Sequence, residues 1–223
     1  MELSDYFHIL RQRGWIILVT AMVAAISAFG FSKLQRPIYK STMQMTVLPA
    51  RNDMGLAQTT KQLLRAYVTI IDTKKFAAQV LQRFEQAGTP LDMTPEQLKN
   101  NAIIASFEDK NVIQIDVKNG DGEMGNRIAY AWAQEFQDWR ELENGKVRKE
   151  DQVDVVLGDN PIYSKFRPQT TINTAAGGIF GLLLGALIVA VLEWLEAGVV
   201  RIPADVESKL GLPVLGAIPS IER

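Results

Sequence analysis

The sequence has no cysteine, a single histidine, and no long block of charge of either sign among its 223 residues. Without cysteine there is no disulfide framework, no thiol nucleophile and no cysteine-based zinc site, and His8 alone cannot build a histidine cluster. The balance of 24 Lys and Arg against 25 Asp and Glu excludes the strongly basic footprint of a nucleic-acid binder. Catalytic signatures are missing too. There is no phosphate loop, nucleophile elbow or His-Glu-x-x-His helix, and the glycine pair Gly211 and Gly216 is followed by Ala217-Ile218 rather than Lys-Ser or Lys-Thr. Acidic pairs such as Glu108-Asp109 and Asp121/Glu123 read as solvated turn residues. The expectation is a protein that is not an enzyme, holds no cofactor or metal, and has no nucleic-acid partner.

Charge is also missing locally, and this is more informative than the mean hydropathy of +0.00. No ionised side chain occurs from Gly14 through Ser32 or from Pro168 through Leu192. The first stretch, as a helix, is about 28 Å long, enough for the hydrocarbon core of a bilayer. A cleaved signal peptide, suggested by the small residues from Ala25 to Ala28, and a buried core helix are the competing readings. The run is longer than the usual ~7–15-residue signal core. In the second stretch Gly177, Gly181 and Gly185 recur every four residues, a stripe that lets helix backbones approach closely and so predicts helix packing or oligomerisation. Trp15 and Trp194 stand at span ends, where indoles favour the headgroup zone.

Between the spans, residues 33–169 carry 19 basic and 18 acidic side chains and read as one α+β domain. Alternation from Tyr39 to Val47 predicts a half-buried strand. Apolar residues at helical spacing from Leu56 to Phe84, interrupted near Asp72, predict two amphipathic helices. Thr94-Pro95-Glu96-Gln97 is a capping-box helix start. Asn101 to Phe107 and Asn111 to Lys118 predict a hairpin around Glu108-Asp109-Lys110, and Glu123 to Leu142 a long helix with Trp132, Phe136 and Trp139 in the core. Gln152 to Leu157 is expected to be a last strand, and Pro161 and Pro168 to bracket an extended approach to the membrane. Lys146, Arg148 and Lys149 read as a solvated face, with a contact to an anionic polymer as the alternative.

The tail, 193–223, holds a short helix start around Pro203 and Asp205. The apolar run from Leu212 to Ile218 follows, clipped by Pro213 and Pro219, with Leu215 and Gly216 inside it. A run of this kind outside a membrane needs a partner or a second copy to cover it.

Taken together, Asp5-Tyr6-x4-Arg11-x-x-Gly14-Trp15, Tyr39-x-Ser41, the proline-bounded glycine-rich second span, and Arg201-x-Pro203-x-Asp205-Val206 leading to Leu212-Pro-Val-Leu-Gly-Ala-Ile-Pro219 resemble the chain-length determinant (Wzz-like) family of polysaccharide co-polymerases, of the short tyrosine-kinase-adaptor type. The resemblance implies a multi-pass protein of the bacterial inner membrane with both termini cytoplasmic. Its extracytoplasmic domain would assemble into a homo-oligomer in contact with membrane lipid. The implied role is to regulate the chain length, polymerisation or export of an exopolysaccharide, capsule or lipopolysaccharide together with the polymerase or export machinery. It further implies that the tail residues Pro203, Asp205, Leu212, Pro213, Leu215, Gly216 and Pro219 meet a separate cytoplasmic tyrosine autokinase.

The expected organisation is 1–13 cytoplasmic, 14–32 and 170–192 membrane-spanning, 33–169 outside, and 193–223 a cytoplasmic tail. Large co-polymerases insert a long coiled coil for which this middle segment has little room. The competing function is a two-span receptor that senses a ligand outside and signals through the tail.

Overall fold

The computed structural model describes the backbone of residues 3–50 and 54–196, and the side chains of 11–50 and 62–196. It divides into two units, one made of the two long terminal helices and one spanning Gln35–Gln169. Each is described by itself.

The helical unit contains α1 (Leu3–Leu34) and α6 (Thr170–Glu196). Both are long and apolar enough to cross a membrane, and each extends past the uncharged stretch seen in the sequence. α1 continues to Lys33 and Leu34, where a lysine suits the helix C-terminus.

The α+β unit is built on β1 (Ile38–Pro49), a 12-residue strand. One edge of β1 pairs antiparallel with β3 (Val112–Asn119), which in turn pairs with β2 (Ala102–Phe107). The other edge is shared end to end by β4 (Val153–Leu157) and β5 (Ile162–Arg167), both antiparallel to β1. Strand β5 departs from the expected plain extended approach. Ile38 pairs with Arg167 and Thr42 with Ile162, so the returning chain joins the sheet before reaching α6. Passage from β4 to β5 runs through Gly158, whose N–H donates to the Gln44 carbonyl at 2.9 Å. A methyl there would stand 2.7 Å from that oxygen, so only glycine lets the chain pass this closely.

Among the described residues four α-helices complete the unit: α2 (Met54–Ile71), α3 (Lys74–Gln86), α4 (Pro95–Asn101) and α5 (Gly122–Asn144). The break between α2 and α3 falls where the periodicity was interrupted, with the Thr73 hydroxyl accepting from the Phe76 N–H at 3.2 Å as N-cap of α3. Thr94 and Gln97 form both bonds of the capping box, at 3.2 and 2.9 Å. The β2–β3 turn is a 3-10 turn over Glu108–Lys110 that ends on Asn111 at φ 52, a left-handed position asparagine tolerates. Arg65 of α2 grips Glu108 through two nitrogens, and this contact raises the guanidinium's pKa further.

One face of the sheet carries the core. Met43, Met45, Val47, Ile113, Ile115 and Val155 meet Ile128, Trp132 and Phe136 of α5 and Leu64, Ile71 and Val80 of α2 and α3. Each such side chain contributes about 1.5–3 kcal/mol of burial. Trp132 also donates its indole N–H to the Ile71 carbonyl at 3.3 Å, tying the end of α2 to α5. On the surface of the helical layer Arg83 bridges α3 to Glu135 and Asp138 of α5. Partial burial opposes its charge, and its carboxylate hydrogen bonds outweigh that and raise its pKa. The other sheet face is polar: Lys40 and Thr42 meet Asp116 at 3.3 and 2.7 Å, and Gln44 meets Gln114 at 2.9 Å. Lys146 and Arg148 pair locally with Glu143 and Asp151.

Candidate functional site: the helix hairpin and the seat of α5

Helices α1 and α6 run antiparallel, and three kinds of contact hold them along their length. At one end Arg13 meets Glu193 at 3.7 Å and Glu196 at 2.5 Å. At the opposite end the Ser32 and Thr170 hydroxyls lie 3.3 Å apart, and the Asn173 amide donates to Ser32 Oγ at 3.1 Å. In low-dielectric surroundings such polar groups cost free energy unless partnered, so each end is pinned by groups that satisfy one another.

Between the ends lies the glycine stripe. Gly177, Gly181 and Gly185 all face α1 of the same chain. A methyl on Gly181 would stand 2.7 Å from Ala21 Cα, Ala24 Cβ and the Thr20 carbonyl. On Gly177 it would meet Ala28 Cβ at 2.5 Å, and on Gly185 it would meet Ile17 Cα at 2.7 Å. The facing residues on α1 are themselves small, and Thr20 satisfies its hydroxyl by donating back to the Ile16 and Ile17 carbonyls at 2.9 Å. Close approach of two backbones is what small residues allow, and it replaces the missing hydrophobic drive between helices in lipid with dispersion contact. The Thr20, Ala21, Ala24, Ala28 row could have been found in the sequence as a small-residue stripe at spacing three to four. Ala28 of this row also belongs to the small-residue segment from Ala25 to Ala28 that suggests the competing signal-peptide reading. The outward faces carry large apolar side chains, with Trp15 64% and Trp194 76% exposed, as membrane-facing indoles should be.

In the α+β unit the motif Tyr39-x-Ser41 has a structural task. Ser41 is fully buried and donates to the Gly122 carbonyl at 3.2 Å. Gly125 lies over the same side chain, where a methyl would come 2.5 Å from Ser41 Oγ, and a methyl on Gly122 would run into the Tyr163 ring. Tyr39 packs edge-on against Tyr163 at 5.6 Å. Asp121 caps the helix by accepting from the Glu123 N–H at 3.0 Å. The start of α5 is therefore seated between β1 and β5, the two strands that continue into the spans.

A second buried polar group, Arg140, is held without a carboxylate partner among the described residues. It donates to Asn144 Oδ1 at 2.7 Å and the Val153 carbonyl at 3.4 Å, and its guanidinium lies over Tyr67 and Trp139 at 5.0 and 5.6 Å. Burial raises the Tyr67 pKa, and the Arg140 charge partly opposes the rise. Among the described residues no three acidic or histidine side chains converge on a point where a metal could sit. The tail residues Pro203, Asp205, Leu212, Pro213, Leu215, Gly216 and Pro219 lie outside the described residues.

Residues 1–84, which include α1, β1 and nearly all of α2 and α3, match the family model described as "Wzz: Chain length determinant protein". Along 99% of its length the chain is 26% identical to the "Probable capsular polysaccharide biosynthesis protein YwqC" of Bacillus subtilis (strain 168), covering 88% of that protein. It is 24% identical to the "Capsular polysaccharide biosynthesis protein CpsC" of Streptococcus pneumoniae, over all of this chain and 96% of that one. The "Capsular polysaccharide type 5 biosynthesis protein cap5A" of Staphylococcus aureus (strain Newman) is 24% identical over 98% of this chain and 96% of its own.

Proposed function

We propose, from the premise that this chain belongs to the Wzz-like chain length determinant family, that it is a non-enzymatic scaffold of the inner membrane for making a surface polysaccharide. In this reading copies of the chain assemble and regulate the length, polymerisation or export of the polymer beside the polymerase or export machinery. The observation that carries it is the joint match. The family model takes in the first span, β1 and the helices after it, and relatives named for capsular polysaccharide biosynthesis align along nearly the whole chain. Two helices of membrane length, joined at one end by Arg13–Glu196 and at the other by Ser32–Thr170, support membrane residence.

The organisation goes with this reading: 1–13 and 193–223 cytoplasmic, 14–32 and 170–192 in the bilayer, 33–169 outside. The tail then presents Pro203 and the Leu212 to Pro219 run to a separate tyrosine autokinase. Assembly involves the Gly177, Gly181 and Gly185 face. Since this stripe seats α1 of the same chain, a leucine at Gly181 acts on the oligomer through the shape of the hairpin, and weaker assembly in detergent is the expected result.

The experiment is a deletion strain with the size distribution of its surface polysaccharide as readout. Loss or redistribution of chain length, restored by the intact gene, is expected. An unchanged distribution overturns the proposal. Complementation with a chain lacking residues 203–223 tests the kinase contact separately: insertion in the membrane is retained and co-purification with the kinase is lost.

A further inference from the structure

At the end of the sheet where β1 begins and β5 ends lies a cavity of about 410 Å³. Its walls include Ile38, Asn101, Lys118, Asn119, Phe166 and Arg167, and the chemistry of these walls is one-sided. The Lys118 ammonium lies 5.0 Å and the Arg167 guanidinium 5.5 Å from the centre of the Phe166 ring. One ring thus serves as the cation–π partner of both charges. Neither cation has a carboxylate partner among the described residues. The one acid of β3, Asp116, is taken up by Lys40 and Thr42. Two cations without a carboxylate partner on the walls of one cleft make it favourable to an anion. Neutral donors stand beside them. Asn119 lines the cleft and accepts from the Asp121 N–H through Oδ1 at 2.9 Å, so the donor it has to offer is its amide nitrogen.

The chain itself fixes where such an anion can come from. Ile38 follows the end of α1 by four residues and Arg167 precedes α6 by three, and the two pair directly in the β1–β5 ladder. At about 3.6 Å per residue neither can lie more than about 14 Å from the end of its span. Ile38 adds an apolar wall, 38% exposed, of the kind that tolerates the first carbons of a lipid chain. We infer that this cleft binds a phosphate group carried by a membrane lipid, with Lys118 and Arg167 as the charge-bearing contacts and Asn119 as a neutral donor. The inference stands apart from the polysaccharide role.

The test uses the full chain. Native mass spectrometry from detergent should show phosphatidylglycerol retained in preference to phosphatidylcholine. Occupancy should fall about tenfold in Lys118→Gln/Arg167→Gln, the loss of charge-assisted contacts. Lys118→Arg/Arg167→Lys should keep most of the binding, and Lys74→Gln/Lys75→Gln, which removes cations elsewhere on the unit, should change nothing. Equal retention by the first double variant overturns the proposal.

Should that variant fold poorly, the unaltered chain in nanodiscs still decides. Hydrogen exchange at residues 118–120 and 166–167 should slow with phosphatidylglycerol or with a polyprenyl pyrophosphate, and not with phosphatidylcholine alone. Slowing by the polyprenyl lipid only assigns the phosphate to an isoprenoid carrier, and slowing by both assigns it to anionic lipid in general. Slowing by inorganic phosphate over neutral discs, or by no lipid, overturns the lipid assignment.

Discussion

In the hairpin α6 reaches α1 through Gly177, Gly181 and Gly185, whereas in the α+β unit α5 reaches the sheet through Trp132 and Phe136. The same element, a helix needing a partner, is packed by the removal of side chains in one case and by the largest side chains in the other. The solvent explains the difference. In water, burying an indole is the main source of stability. In lipid, an apolar side chain gains nothing by leaving its surroundings, so what remains is the close fit of backbones and the pairing of polar groups.

If that contrast is right, Trp132→Ala should produce the largest loss. It empties the centre of the core and strands the Ile71 carbonyl, at about 3–5 kcal/mol; denaturant unfolding measures it, and the hairpin should be indifferent. Gly181→Leu is the converse. Its side chain meets backbone atoms of α1 that no rotamer change can clear, at about 1–3 kcal/mol for overpacking. Since the chain has no cysteine, Ser32→Cys/Thr170→Cys supplies a clean cross-link across the hairpin. Its yield should drop when Gly181→Leu is added, while unfolding of the α+β unit stays unchanged. Equal cross-linking would break the comparison.

Smaller effects sharpen it. Gly122→Ala drives a methyl into the Tyr163 ring, and the exposed ring can partly swing away. We expect about 1 kcal/mol, at the low end of overpacking, and most of that should vanish in Gly122→Ala/Tyr163→Ala. The smallest effect is a pH dependence. The folded-state pKa of Tyr67 is raised, so its contribution is complete below the unfolded tyrosine value near 10 and is lost as pH rises through the folded value. Tyr67→Phe should flatten the decline in stability above about pH 10.

Much of this was readable beforehand. The spans, β1, the α2–α3 break, the Thr94 box, the β2–β3 hairpin and the core face of α5 all follow from periodicity and capping, which act over a few residues. Strand β5 was not readable as a strand, because nearly all its side chains are exposed and no buried alternation marks it. What makes it one is the stretch of β1 from Ile38 to Thr42, more than a hundred residues earlier. The glycine stripe announced a packing face without its occupant. The cleft around Phe166 was invisible for the same reason as β5, since Lys118 and Arg167 come to line one cleft only after the sheet has formed.

The pairing of Ile38 with Arg167 has a mechanical consequence. The spans hang from the same end of one antiparallel ladder, so a force that draws them apart loads that first pair alone and then each following pair in turn. Such a ladder opens like a zipper, at far lower tension than if the same bonds were sheared together. The first pair of the β1–β5 ladder is thus the part of the sheet that yields first to such a pull, while the core behind Trp132 stays closed.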